Sequence, residues 1–220
     1  MTRHSFNLAE GATRLETGML GDRSVSIRRP VRSEPQVSYE ERRDAHPWRD
    51  LWSASSPLAN KLLERQGRGR RALELGCGLG HCTIAATLAG FRVLATDRES
   101  DALDFTRENV HRNLGVAVET RMLDWRSPPN DLGQFDLVFG SDVMYESEHP
   151  AQILSLLSLT IAPNGVALIA NQDRKHTTTF LAGCTHYGVE LRRGETTFVE
   201  SADHRERVDL LEVARKADRA

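Results

Sequence analysis

The chain has 220 residues, with 29 Lys and Arg against 31 Asp and Glu for a net charge of −2. One domain with a substantial single core is expected at this length, and the near-balanced charge excludes a globally basic surface built for bulk nucleic-acid binding. Cys77, Cys82 and Cys184 show no metal-ligand spacing, and no apolar run reaches signal-peptide or membrane-spanning length, which predicts a reducing, cytoplasmic setting with no membrane partner.

Residues 1–45 read as a polar arm or hairpin in which Val25-Ser26-Ile27 alternate as a strand does, and residues 46–220 as the main domain. A helix is predicted over Asp50–Glu64, with Pro57 suited to its first turn. Strands follow at Ala72–Leu75, Arg92–Thr96, Ala117–Met122, Phe135–Ser141 and Val166–Asn171. Helices are interleaved at His81–Leu88, Ser100–Leu114, Pro150–Ile161 and Lys175–Tyr187. Val189–Arg192 and Val208–Val213 predict two late strands. The order implies an α/β fold: a mostly parallel sheet flanked by helices, with an antiparallel C-terminal hairpin at its edge.

Ligands of open α/β sheets bind beyond the carboxyl ends of the strands. Gly76, Asp97, Asp124 and Ser141-Asp142 fall at four such ends, so separate strands bring them to one rim. The stretch Arg71–Gly80, RALELGCGLG, carries an acidic strand residue, Glu74, into glycines at 76, 78 and 80. Glycines there permit a sharp turn and a close backbone approach, and the following helix start offers free N–H groups. Asp97, at the tip of the next strand, can accept hydrogen bonds from two ribose hydroxyls. Together they describe a site for an adenosine-containing cofactor. The spacing is G-x-G-x-G, unlike the G-x-G-x-x-G of dinucleotide sites, and no lysine follows as in a phosphate loop. A glycine turn with no ligand is the alternative for this loop taken alone.

Asp124 can accept from an adenine amine, and Trp125 can pack on the ring; taken alone, the pair reads more simply as a tryptophan covering a helix end with Asp124 capping a turn before Pro128-Pro129, and its place at a strand end in this register favours adenine. Phe135–Glu146, FDLVFGSDVMYE, is a buried strand ending in Asp142 and Tyr145, an acid and an aromatic whose burial calls for a reason. A turn cap is the competing reading of Asp142. Among the histidines, His81, His111, His149 and His176 can reach a rim, although a lone histidine is more often a surface or helix-end residue. Glu146 and Glu148 suit the start of a helix. Arg174 could reach a substrate but reads more simply as a solvated charge.

The motif E-L-G-C-G-L-G resembles the first motif of class I S-adenosylmethionine (AdoMet) methyltransferases. With Trp52–Ala59, Asp124-Trp125 and Ser141–Glu146, it is similar to the seven-β-strand protein methyltransferases, whose D-x-x-Y motif is matched by Asp142 and Tyr145. The resemblance covers roughly residues 48 to 190. It implies a Rossmann-like fold, AdoMet as cofactor, and methyl transfer to a nitrogen, foremost a protein lysine. Val143-Met144 stand where base and amide methyltransferases carry prolines, so no nucleic-acid partner is expected. Asp142 and Tyr145 are the expected acceptor-side residues. Trp52, Glu74, Gly76, Gly78, Gly80, Asp97, Arg98, Asp124, Trp125 and Ser141 form the expected cofactor set, with no metal. A small-molecule amine acceptor and a catalytically silent AdoMet-fold module are the alternatives. The acceptor's identity and the oligomeric state lie outside what the sequence specifies.

Overall fold

The computed structural model describes residues 12–31, 46–172, 175–200 and 205–216. Arg174 and most of the polar arm lie outside the described residues. The first element is an antiparallel hairpin of β1 (Thr13–Leu20) and β2 (Arg23–Pro30). A 3-10 turn at Pro47–Arg49 leads to α1 (Ser55–Leu63). The chain then alternates through β3 (Arg71–Leu75), α2 (His81–Leu88), β4 (Arg92–Asp97), α3 (Ser100–Leu114), β5 (Glu119–Met122) and β6 (Phe135–Ser141). It finishes with α4 (His149–Thr160), β7 (Ile161–Gln172), α5 (His176–Gly183), β8 (Val189–Glu200) and β9 (Arg205–Arg215).

The seven-stranded sheet runs β5-β4-β3-β6-β7-β9-β8. β5 through β7 are parallel, and β9 joins β7 and β8 antiparallel. The chain builds outward from β3 to β5, then returns to place β6 on the other side of β3. That reversal between β3 and β6 opens a crevice at their carboxyl ends.

Alternation along β3 divides the core. Ala72 faces one apolar cluster with α1, α2 and α3, while Leu73 and Leu75 face a second with α4 and α5. Near-continuous apolar strands are what a sheet covered on both faces demands. The hairpin adds Leu20, Val25 and Ile27 to the first cluster. It is fastened to α3 by side-chain amides. Asn109 Oδ1 accepts from the Arg28 N–H at 2.7 Å, and Asn113 Oδ1 from the Ser26 N–H at 2.8 Å. Asn109 Nδ2 donates to the carbonyls of both Arg28 and Leu79, each at 2.9 Å.

Several boundaries differ from the sequence expectation. The helix expected over Asp50–Glu64 begins at Ser55, because the Trp52 indole N–H donates to the Pro47 carbonyl at 2.8 Å and holds a turn there. β7 begins at Ile161, where α4 stops, five residues before the expected Val166. Gly165 permits that extension, since a Cβ there would sit 2.7 Å from the Phe135 carbonyl oxygen. β8 and β9 run well past the expected Val189–Arg192 and Val208–Val213: β8 takes in Thr196-Thr197-Phe198-Val199, a β-branched and aromatic run, and pairs with β9 as far as Glu200↔Arg205. The helix expected to reach Tyr187 ends at Gly183.

Candidate functional site

Above the β3/β6 crevice lies a cleft enclosing about 170 Å³. Trp48 and Trp52 border it from the segment before α1, Glu74 and Gly76–Gly78 from β3 and its turn, and Asp97-Arg98-Glu99 from the end of β4. Asp124-Trp125 reach it beyond β5. Ser141, Asp142, Tyr145 and Glu146 follow from β6, and His149 opens α4. Every residue expected at the site lines this cleft except Gly80. Gly80 caps α2 at φ 81°, and a Cβ there would meet Thr106 Cα at 3.0 Å. Its role is to let α2 and α3 close on one another, which is why it turns away from the cleft.

The glycine turn is held from below. Gly76 and Gly78 adopt φ of 66° and 52°, the left-handed region where a side chain is strained. A Cβ on Gly76 would stand 3.5 Å from the Trp125 ring. Asp97 ties the turn to β4: its Oδ2 accepts from the Gly78 N–H and its Oδ1 from the Glu99 N–H, both at 3.0 Å. Burial raises its pKa to about 6 even though these two N–H groups favour the carboxylate.

Glu74 shares the face of Ala72 on β3 and is fully buried beneath the turn, where the Thr83 hydroxyl of α2 donates to it. Burial drives its pKa to about 8, the Thr83 bond working against that rise and the charge of Asp97 adding to it. The opposite holds for Asp124. Arg126 Nε lies 2.9 Å from its Oδ1 and Nη2 2.5 Å from its Oδ2, and these bonds pull its pKa down to about 2. The carboxylate expected to meet an adenine amine is thus already engaged by Arg126.

Asp142 sits at φ 52°, an uncommon backbone for a residue with a side chain. Its N–H donates to the Ala170 carbonyl at 2.8 Å. Its Oδ1 accepts from the Gln172 N–H at 3.0 Å and its Oδ2 from Gln172 Nε2 at 2.9 Å. Gln172 is not among the residues expected from the sequence, although the carboxyl-end rule points to it, because the apolar run of β7 ends before it at Asn171. Tyr145 is largely buried, which pushes its phenol up to about 12 and keeps it neutral. Its ring meets His149 edge-on at 4.5 Å, and Trp125 meets the same imidazole at 5.1 Å. Burial lowers the pKa of His149, against the opposing pull of Glu146.

His81 Nδ1, Ser141 Oγ and Trp125 Nε1 are buried without a hydrogen-bond partner in the protein, and all three residues line the cleft. Orphaned polar atoms of this kind call for a ligand or water. Among the described residues no cluster of His, Cys, Asp and Glu could hold a metal ion, and no helix is long and apolar enough to cross a membrane.

A parallel sheet whose order reverses at a glycine turn, closed by antiparallel β9 between β7 and β8, is the architecture of the Rossmann-like methyltransferase class. Solved structures share the fold. A TehB-like SAM-dependent methyltransferase from Corynebacterium glutamicum superposes with a TM-score of 0.58 at 19% identity, over 80% of this chain and 95% of that one. A precorrin-6y C5,15-methyltransferase from Geobacter metallireducens gives 0.56 at 18%, over 74% and 89%. The chain belongs to the lysine methyltransferase family, which matches residues 34–187. It is 36% identical over 113 residues to protein N-lysine methyltransferase METTL21A of Mus musculus, covering 49% of this chain and 51% of the relative. EEF1A lysine methyltransferase 3 of Mus musculus is 32% identical over 130 residues, covering 56% and 55%. The chain thus spans about half the length of the curated relatives it matches.

Family and fold imply AdoMet, and the cleft fits it. Bare glycine backbone, a carboxylate at the β4 tip, an indole face and three orphaned polar atoms suit a nucleoside joined to an amino acid.

Proposed function

We propose that the protein transfers a methyl group from AdoMet to the ε-nitrogen of a lysine in a protein. The observation that carries this reading is the placement of Asp142 and Tyr145 beside the glycine-turn cleft, within a chain of the lysine methyltransferase family. The names of its relatives support a protein lysine as acceptor.

In this reading Gly76, Gly78, Ser141 and His81 hold the amino-acid end of the cofactor, Asp97 the ribose, and Trp125 the adenine face, with Trp52, Glu74, Arg98 and Asp124 completing the lining. Bound AdoMet would supply an electrophilic methyl carbon on a sulfonium, with the thioether as leaving group. The protein's part is alignment and exclusion of water. Asp142, fixed by Gln172, orients the amine. Tyr145 walls the channel and offers its hydroxyl as a hydrogen-bond partner; a phenol held at about 12 does not serve as a base. The lysine sheds its proton to solvent before transfer, because an ammonium has no lone pair.

The test is incubation of the protein with methyl-labelled AdoMet and an extract from cells lacking it. The expected result is label on methyl-lysine after hydrolysis of a protein band. Label confined to small amines, or none at all with AdoMet still bound, would replace this reading with one of the two alternatives.

A further inference from the structure

Glu146 stands at the cleft mouth directly after Tyr145, with its side chain about half exposed. Two neighbours fix its surroundings, His149 and Arg98. Its own N–H donates to His149 Nδ1 at 3.3 Å. That bond leaves the neutral imidazole's proton on Nε2, which lies 3.4 Å from Glu146 Oε2. His149 is itself wedged edge-on between Tyr145 and Trp125, so the carboxylate rests on a rigid aromatic support. From the opposite lip, beyond β4, Arg98 Nη1 approaches Glu146 Oε1 at 3.9 Å. That is too long for a hydrogen bond, and a loose, exposed pair of this kind contributes little.

We infer that Glu146 is the carboxylate that captures the incoming ammonium of the acceptor, with His149 as its positioning residue and Arg98 as the resident cation that the acceptor displaces. This rests on the lysine reading above and adds the group that recognises the cation. Asp142 is poorly suited to first contact, being buried with each oxygen already accepting from Gln172. Glu146 is half exposed at the mouth of a cleft that Tyr145 and Trp125 also line, and aromatic rings there also favour a cation. A lysine drawn to Glu146 gives up its proton to solvent at the cleft mouth and then passes Tyr145 to reach Asp142.

The experiment uses the whole chain, tritiated AdoMet and serial dilutions of protein extract from cells lacking the enzyme, with label traced to the amino acid by hydrolysis. Glu146→Gln is expected to need about tenfold more extract for half-maximal lysine labelling, as loss of one charge-assisted contact implies. Its AdoMet affinity, by calorimetry, is expected to stay within about twofold of the parent. Glu146→Asp should recover part of the loss. His149→Phe, which keeps a ring but loses both nitrogens, should shift half-saturation in the same direction by a smaller factor. Lysine labelling by the parent with unchanged half-saturation in Glu146→Gln overturns this inference and leaves the lysine reading standing. Label on no lysine overturns both. Loss of AdoMet binding in Glu146→Gln also overturns it, by moving Glu146 into the cofactor's surroundings.

Discussion

Gln172 grips Asp142 through both a backbone and a side-chain donor, at 3.0 and 2.9 Å, so the end of β7 fixes the carboxylate that follows β6. Asp142→Asn keeps the size but replaces one acceptor oxygen with a donor facing a donor. Methyl transfer is expected to fall at least about tenfold, since a hydrogen bond to a charged group contributes about 1.5–3 kcal/mol. AdoMet affinity should change little. Gln172→Leu should reproduce much of that loss without touching the acid. Turnover of each variant beside its AdoMet affinity checks the assignment; full activity in Asp142→Asn would reject it.

Asp97 supports the glycine turn and faces the cleft, so Asp97→Ala should weaken AdoMet binding at least about tenfold by losing charge-assisted hydrogen bonds. Its pKa of about 6 adds a pH signature: AdoMet affinity should rise as the carboxylate ionises between about pH 5 and 7. Calorimetry across that range is the measurement, and a flat profile counts against Asp97 as the ribose acid.

Glu74 makes the stability of the cofactor-free protein fall with rising pH. Its folded pKa is about 8 against an ordinary 4.5, so the folded state keeps a proton that the unfolded state gives up. Stability therefore declines as pH rises from about 4.5 toward 8, the reverse of a salt-bridged carboxylate. Glu74→Gln carries no charge at any pH. Its melting temperature relative to the parent should become more favourable from pH 5 to pH 8. A difference that stays constant across the range would contradict the burial argument.

Trp125 is expected to cover the adenine, and its indole already backs Gly76. Intrinsic fluorescence should change on AdoMet binding, and the change should shrink in Trp125→Phe. Trp48 and Trp52 also border the cleft, so an undiminished signal would transfer the role to one of them.

Gly80→Ala should destabilise the fold by about 1–3 kcal/mol through a strained φ and a contact with Thr106. The denaturation midpoint is the readout. Once corrected for folded fraction, cofactor affinity should suffer less than in an alanine variant of Gly78, whose backbone lines the cleft.

The sheet was legible because central parallel strands must be apolar on both faces, and Ala72–Leu75 and Phe135–Ser141 have no other use for such runs. The bounds of His81–Leu88 and Ser100–Leu114 are legible in the sequence, since each starts after a turn signal and the second ends at Gly115 in the left-handed region. The charged ends of β9, Arg205–Arg207 and Arg215, are set by pairing with β8 and carry no apolar run, whereas the far end of β8 does hold a strand signal in Thr196–Val199, separated from Val189–Leu191 by Arg192-Arg193-Gly194-Glu195. At the site, residues tied to strand ends could be gathered from sequence. Side-chain engagement could not: nothing local announces that Arg126 occupies Asp124, that Gln172 holds Asp142, or that Gly80 serves helix packing.

Asn109 makes the hairpin and the glycine turn a single mechanical unit. One buried amide group reads the hairpin through Arg28 and the glycine turn through the Leu79 carbonyl. A chain trimmed to start at residue 46 would remove two of that amide's three hydrogen bonds, both to Arg28, at a cost of about 1–3 kcal/mol for the groups left unmatched. The slack would arrive at Leu79, between Gly78 and Gly80, so a deletion made far from the cleft would be felt first as looser grip on the cofactor.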